Sequence, residues 1–275
     1  MPVRSERGSK AKMEKRLTEQ VKEIAEEMGA QLVGIAPVER FSGAPAGHGP
    51  RDLLKKAESV ISIACAMPYG VAQSAPSGSY MTYGNAFLNQ KLQEIAFAVA
   101  WFLEEKGFVS LPLLPTGDVV SVEISEGPDP EVYRMALFSH RHAAVEAGLG
   151  QLGLHSALVT PEYGSRVRLV SVITSAVLAA DPKRIEKVCD PEKCRSYCVR
   201  VCPYKALRGD GTIHHYRCLT GRLEFVGERH DMEKFREYAR THPLIRGKVQ
   251  IAIPTCGKCV VSCPVGRLKQ GKKRA

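Results

Sequence analysis

The sequence is short of aromatic side chains, with one tryptophan and 7% Phe, Trp and Tyr in 275 residues. That argues against a protein that grips single-stranded nucleic acid by stacking successive bases on aromatic platforms. Long hydrophobic runs are also missing. The longest, residues 60–67 (VISIACAM), is strand-sized and interrupted by Ser62, whereas a membrane span needs roughly 18 to 20 apolar residues. Residues 1–12 (MPVRSERGSKAK) are charged and contain no apolar leader core. A cytoplasmic location is therefore expected, without membrane contact and with reduced cysteines. Internal repeats and low-complexity tracts are absent through residue 180. A content of 44% hydrophobic and 25% charged residues excludes global disorder.

The net charge of +10 is unevenly placed. Residues 1–180 hold 17 Lys and Arg against 19 Asp and Glu, while residues 181–275 hold 22 against 10. Two modules are expected, the second facing an acidic partner such as RNA, an anionic protein surface or a negatively charged metal centre. In the first, residues 12–28 place Met13, Leu17, Val21, Ile24 and Ala25 on one face at helical spacing and stop at Gly29. Residues 31–38 and 60–67 read as buried strands, and 41–50 as a loop. Residues 85–106 read as a helix, 108–114 as a strand, 131–147 as a helix and 166–178 as a long strand. Alternating helices and strands argue for an α/β sandwich over residues 1–180. The charged segment 180–188 reads as a linker to the second module, residues 181–275.

Size does not explain nine cysteines, eight of which fall within 75 residues. One run is Cys189-x4-Cys194-x3-Cys198-x3-Cys202-Pro203, a lone Cys218 follows, and the other run is Cys256-x2-Cys259-x3-Cys263-Pro264. Ferredoxin-type 4Fe-4S cubanes take three ligands from one close run and a fourth from the Cys-Pro of the other. By that logic Cys189, Cys194, Cys198 and Cys263 hold one cluster, and Cys202, Cys218, Cys256 and Cys259 hold the second. Each Cys-Pro is expected to open a helix, since proline suits the first helical turn. Zinc is the main rival, because paired thiolates also make tetrahedral zinc sites; disulfides are a third reading. Two such clusters add about −4 of charge, which part of the basic excess balances. Cys65, in an apolar strand, reads as a buried structural thiol.

Gly148-x-Gly150-x-x-Gly153 (GLGQLG) matches the dinucleotide fingerprint by letter. The order around it is reversed, since a helix enters and a strand leaves, and nicotinamide binding there is not expected. The glycines fit a turn that lets backbone approach another backbone or a flat cofactor closely.

The eight cysteines with Arg217-Cys218 between the runs, and the segment AGLGQLGLHSALVTPEYGSRVRL (residues 147–169), resemble epoxyqueuosine reductases and, more distantly, reductive dehalogenases. The resemblance covers roughly residues 18–265. It implies an α+β protein: a nitroreductase-type sandwich that binds cobalamin, or less readily a flavin, followed by a small ferredoxin-like double-cluster domain. It also implies cofactor contacts from the glycine segment, for which Gly148, Gly150, Gly153, His155, Gly164 and Arg166 are the candidates. Two departures stand out. Family members that act on tRNA look longer, with a C-terminal helical-repeat domain, whereas this sequence ends 12 residues after Cys263. Where the family's Asp proton donor is expected, the sequence reads Arg134, Met135, Ala136 and Leu137, with Asp129 and Glu131 nearby. No Asp-x-His-x-x-Gly motif offers a lower axial histidine to cobalamin.

A reductive site needs a positioned acid. Candidates are Asp118, Tyr83 and His140, with Tyr80 and His142 beside them; His140 and His142 point to different helix faces. His214 and His215, between the cysteine runs, either tune a cluster by hydrogen bonding or face solvent. The function expected is an iron–sulfur oxidoreductase that receives electrons from a redox partner protein and reduces a small molecule or modified nucleoside. The alternative is a non-catalytic electron-transfer or corrinoid-reactivating protein.

Overall fold

The computed structural model describes residues 3–115, 119–125, 132–215, 217–218 and 256–267. Two strands lie at its centre. β2 (Ser59–Ala66) is buried at all but its last position, and β8 (Val167–Thr174) at its last six. They pair antiparallel, with Ile61 opposite Val172 and Ile63 opposite Val170 on one face. Val60 opposite Ile173, and Ala64 opposite Leu169, occupy the other. The period of two sends the first set against helices α1 (Val3–Glu27) and α5 (Leu88–Glu105), and the second against α6 (His140–Glu146). Each of these fully buried Ile or Val side chains contributes on the order of 1.5–3 kcal/mol. β1 (Leu32–Pro37) and β3 (Ser110–Pro112) complete a sheet of order β1-β2-β8-β3, antiparallel throughout. The result is a mixed α+β sandwich, with the sheet between helices.

Helix α1 starts well before the expected residue 12. It buries Val21 and Ala25 but leaves Met13 58% exposed, so the apolar stripe is shorter than the periodicity suggested. Gly29 ends it at φ +95°, and Ala30 N–H returns to the Ala25 carbonyl. Short helices α2 (Pro50–Leu53), α3 (Tyr69–Gln73) and α4 (Gly78–Met81) follow, and a π-helical turn at Thr82–Phe87 leads into α5. Leu92, Ile95, Ala96, Val99 and Leu103 of α5 all face the core.

The helix expected over 131–147 is a correction. Val132–Ala136 is strand β5, paired with β4 (Val119–Ile124), and only the last seven residues of that stretch before Ala147 are helical, as α6. Valine and tyrosine in VYRMA favour a pleated surface, and VVSVEI supplies the partner. The strand expected to leave the glycine turn is the short β7 (Leu158–Val159), which pairs with β6 (Gln151–Leu152).

The Cys-Pro steps are a second correction. α7 (Tyr197–Arg200) and α8 (Lys258–Val261) precede Cys202-Pro203 and Cys263-Pro264 instead of following them. The proline ring keeps the residue before it out of helical geometry, so Cys-Pro ends each turn. The expected linker begins as a docked segment. The Asp181 carboxylate accepts from Ile35 N–H at 2.8 Å and from Lys22 Nζ at 2.6 Å, while Asp181 N–H donates to the Ile35 carbonyl.

Candidate functional site

The turn glycines bring backbone against backbone. At Gly148 (φ +76°) a Cβ would lie 2.2 Å from the Pro182 carbonyl oxygen, and at Gly150 it would lie 2.2 Å from that of Val159. At Gly164 (φ +60°) a Cβ would lie 2.1 Å from the Val265 carbonyl, so the strand end and the second cysteine loop touch main chain to main chain. Arg166 rivets the same junction. It donates to the Met67 carbonyl at 2.8 Å and to that of Gly266 at 2.6 Å, with its guanidinium over the Tyr69 ring. Ser165 Oγ donates to the Val260 carbonyl at 2.8 Å.

The thiols sort into two neighbourhoods that cut across the sequence runs. Burial pushes Cys198 up to about 11, and the nearby thiols of Cys189, Cys194 and Cys263 push the same way. Cys259 is pushed up to about 12, by burial first and then by Cys218, Cys202 and Cys256. Cys198 also acts on Cys259, so the two groups are adjacent. Cys189, Cys194, Cys198 and Cys263 border a cavity of about 450 Å³. Among the described residues, no three Cys, His, Asp or Glu side chains close on the point of a single metal ion. Cys65 is fully buried and raised to about 11 by burial, as a structural thiol should be.

His155 faces the same cavity and is 3% exposed. Its Nδ1 accepts from Ala157 N–H at 3.3 Å, while Nε2 has no hydrogen-bond partner among the described residues. Burial lowers its pKa to about 4, so the ring is neutral. Gly153 makes room for it, since a Cβ there would lie 2.8 Å from the imidazole.

A second cavity, about 350 Å³, lies across the 154–159 segment, lined by Tyr80, His140, Arg141, Ser165, Arg168 and Val260 among others. Ser77 caps α4 by accepting Tyr80 N–H, and Tyr80 itself is buried. Arg168 Nε and Nη2 hold Asn89 Oδ1 at 3.1 and 2.9 Å; burial lowers its pKa and Tyr80 opposes that shift. Arg141 Nη1 donates to the Ser156 carbonyl and hydroxyl.

The other candidates separate. His140 lines this cavity with both nitrogens engaged, Nδ1 to Ser171 Oγ at 2.9 Å and Nε2 to the Leu114 carbonyl at 2.8 Å. His142 meets Ser139 Oγ instead, as expected for a different helix face. Tyr83 is 53% exposed, against Phe87, and does not line the cavity. Asp118, Asp129 and Glu131 lie outside the described residues. His214 is buried, its Nδ1 accepting from Arg217 N–H, and His215 is half-buried. Arg168 is not among the sequence candidates, although a single charged residue in the strand VRLVSVIT was a readable signal.

No protein-family model matches the chain. It is 25% identical over 284 residues to an epoxyqueuosine reductase of Lactococcus garvieae, a match covering 92% of this chain and 70% of that protein. In fold it is similar to an epoxyqueuosine reductase solved with an epoxyqueuosine-modified tRNA-Tyr stem loop (TM-score 0.60, 22% identity), covering 91% of this chain and 65% of that one. It is also similar to a reductive dehalogenase described with a mechanism for B12-dependent dehalogenation (TM-score 0.58, 15% identity), covering 90% of this chain and 38% of that one. The resemblance to epoxyqueuosine reductases thus extends along nearly the whole chain. Among the described residues, no helix is long and apolar enough to cross a membrane.

Proposed function

We propose that this chain is an iron–sulfur oxidoreductase of the epoxyqueuosine-reductase kind. A ferredoxin-like region (181–275) holds two 4Fe-4S clusters, and a nitroreductase-type sandwich (1–180) carries the substrate site. A redox partner protein supplies the electrons, and a small molecule or modified nucleoside accepts them. The observation that carries this reading is the crossed sorting of the thiols, Cys263 with Cys189, Cys194 and Cys198, and Cys202 with Cys218, Cys256 and Cys259. Shared ligands of this kind belong to paired cubanes. The donor set and the bordered cavity fit a cluster, which when bound supplies one-electron transfer.

The chain's own residues do the rest. Cys198 and Cys259, whose thiols burial pushes up to about 11 and about 12, would hold iron as thiolates, so their binding of it would release protons. Arg166, Ser165 and Gly164 hold the second cysteine loop to the strand end, beside the 350 Å³ cavity. Within that cavity Tyr80 is the positioned acid, and Arg168 places a cation beside it. Cobalamin, or less readily a flavin, is implied by the resemblance. The 350 Å³ cavity adjoins one of about 580 Å³ that shares Ala136, Phe138, Ser139 and Arg141, and the residues around these two spaces would hold such a group, which when bound would pass electrons to the substrate.

The test is iron, cobalt and zinc per chain on protein purified without oxygen. About eight iron are expected, and Cys263→Ala should remove the cluster on Cys189, Cys194 and Cys198 while leaving the other. Zinc without iron, or loss of only the Cys256 and Cys259 cluster in that variant, overturns the reading. Substrate class is then probed by mass spectrometry after incubating reduced protein with an epoxyqueuosine-modified stem loop.

A further inference from the structure

One buried group near the cysteines is left unexplained by ligation. His155 is 3% exposed and lines the cavity bordered by Cys189, Cys194, Cys198 and Cys263. Leaving a buried nitrogen without a partner forfeits its hydration for nothing, so an imidazole kept this way points to a missing partner. Donor and acceptor roles can be assigned. Ala157 N–H donates to Nδ1 at 3.3 Å, so Nδ1 carries the lone pair and Nε2 carries the proton. The orphan is therefore an N–H, and the group it lacks is an acceptor.

The placement is built into the backbone. Gly153, two residues earlier, admits the ring, since a side chain there would overlap the imidazole. Val159 closes the same cavity, while Ala157 and Leu158 face the neighbouring 350 Å³ cavity. The turn that carries His155 thus forms the wall between the two spaces.

We propose that His155 Nε2–H donates a hydrogen bond to a sulfur, thiolate or sulfide, of the cluster held by Cys189, Cys194, Cys198 and Cys263, raising that cluster's reduction potential above what its thiolates alone would set. This rests on the functional reading above. Sulfur carries more negative charge in the reduced cluster, and a donor aimed at it stabilises that state preferentially. The side chain is a tuning residue and is not a ligand.

The test uses the full chain, purified without oxygen and loaded with iron and sulfide, as wild type, His155→Leu and His155→Gln. In His155→Leu one cluster should be harder to reduce. At a fixed potential its reduced-to-oxidised ratio falls about tenfold, a shift of about 59 mV for a one-electron couple. The other cluster stays unchanged. Glutamine keeps an N–H and should restore part of the shift. In the wild-type reduced cluster, hyperfine spectroscopy after exchange into deuterium oxide should show a coupled exchangeable proton that His155→Leu lacks. If leucine costs the cluster altogether while glutamine keeps it with that coupling, the proposal also stands. Unchanged potentials together with an unchanged proton coupling in His155→Leu overturn it. A wild-type protein lacking the first cluster instead sinks the functional reading, and shows as missing iron before any substitution.

Discussion

The two cysteine loops share one plan in different surroundings. In each, a left-handed residue (Ser196, φ 48°; Gly257, φ 65°) precedes a single helical turn. The second residue of the turn is a cysteine, Cys198 or Cys259, and Cys-Pro follows the turn. The first loop tolerates serine at the left-handed position, where it is half-buried. The second loop has glycine, and a Cβ there would lie 2.4 Å from the Tyr80 hydroxyl. Local geometry asks the same of both residues. Only the second is also pressed against Tyr80 of the 350 Å³ cavity, so that glycine records a contact between regions and not the loop shape.

Exchanging the left-handed residues should break this comparison most sharply. Gly257→Ser combines left-handed strain of about 1–2 kcal/mol with overpacking of about 1–3 kcal/mol. A loss of about 3 kcal/mol is expected in anaerobic denaturant unfolding, and adding Tyr80→Leu should recover the overpacking share alone. Next in size is Arg166→Met, which removes two charge-assisted bonds from the junction. About 2 kcal/mol should be lost, with faster iron release to a chelator. Ser165→Ala deletes one hydroxyl bond to the second loop, at about 1 kcal/mol in the same assay. Ser196→Gly, the reverse exchange, should stabilise by up to about 1 kcal/mol, because relief of the left-handed strain at φ 48° outweighs the added freedom of the unfolded chain.

The smallest effect is a pH dependence outside both loops. Burial, aided by Arg141 and opposed by Glu146, lowers the His142 pKa from 6.5. The unfolded chain then binds more protons than the folded one just below pH 6.5, so this contribution to stability is full above that value and falls as acid is added. Unfolding midpoints between pH 7 and 5 should drop less steeply in His142→Gln.

Much of the sheet was legible because burial on both faces leaves a continuous apolar run, as in VISIACA and VRLVSVIT. The pairing of β4 and β5 was not, because VYRMA carries apolar residues at spacings that suit either period, and the strand it pairs with decides. At the site, Cys-Pro led to the expectation that thiols of the two runs mix, and Cys263 does act on Cys198, and Cys202 on Cys259, while the side of the helix on which each Cys-Pro falls was not readable. Proline has two opposing preferences there, first helical turn for itself and extended geometry for its predecessor, and the second prevails. Tyr80 and Tyr83 sit in one polar stretch with like neighbours; only the Ser77 cap and the π-helical turn turn the first inward and leave the second outside.

Asp181 has a consequence for association between molecules. β1 lies at an open edge of the sheet, where unpaired amides and carbonyls invite a strand from another chain. With its own N–H on the Ile35 carbonyl and its carboxylate on the Ile35 amide, Asp181 occupies both groups and acts as a one-residue strand bearing charge. The opposite edge, β3, is three residues long and ends in Pro112. The sheet is thereby guarded at both margins against edge-to-edge growth, and Asp181→Ala, which keeps the main-chain bond to the Ile35 carbonyl, should free the Ile35 amide to a second copy.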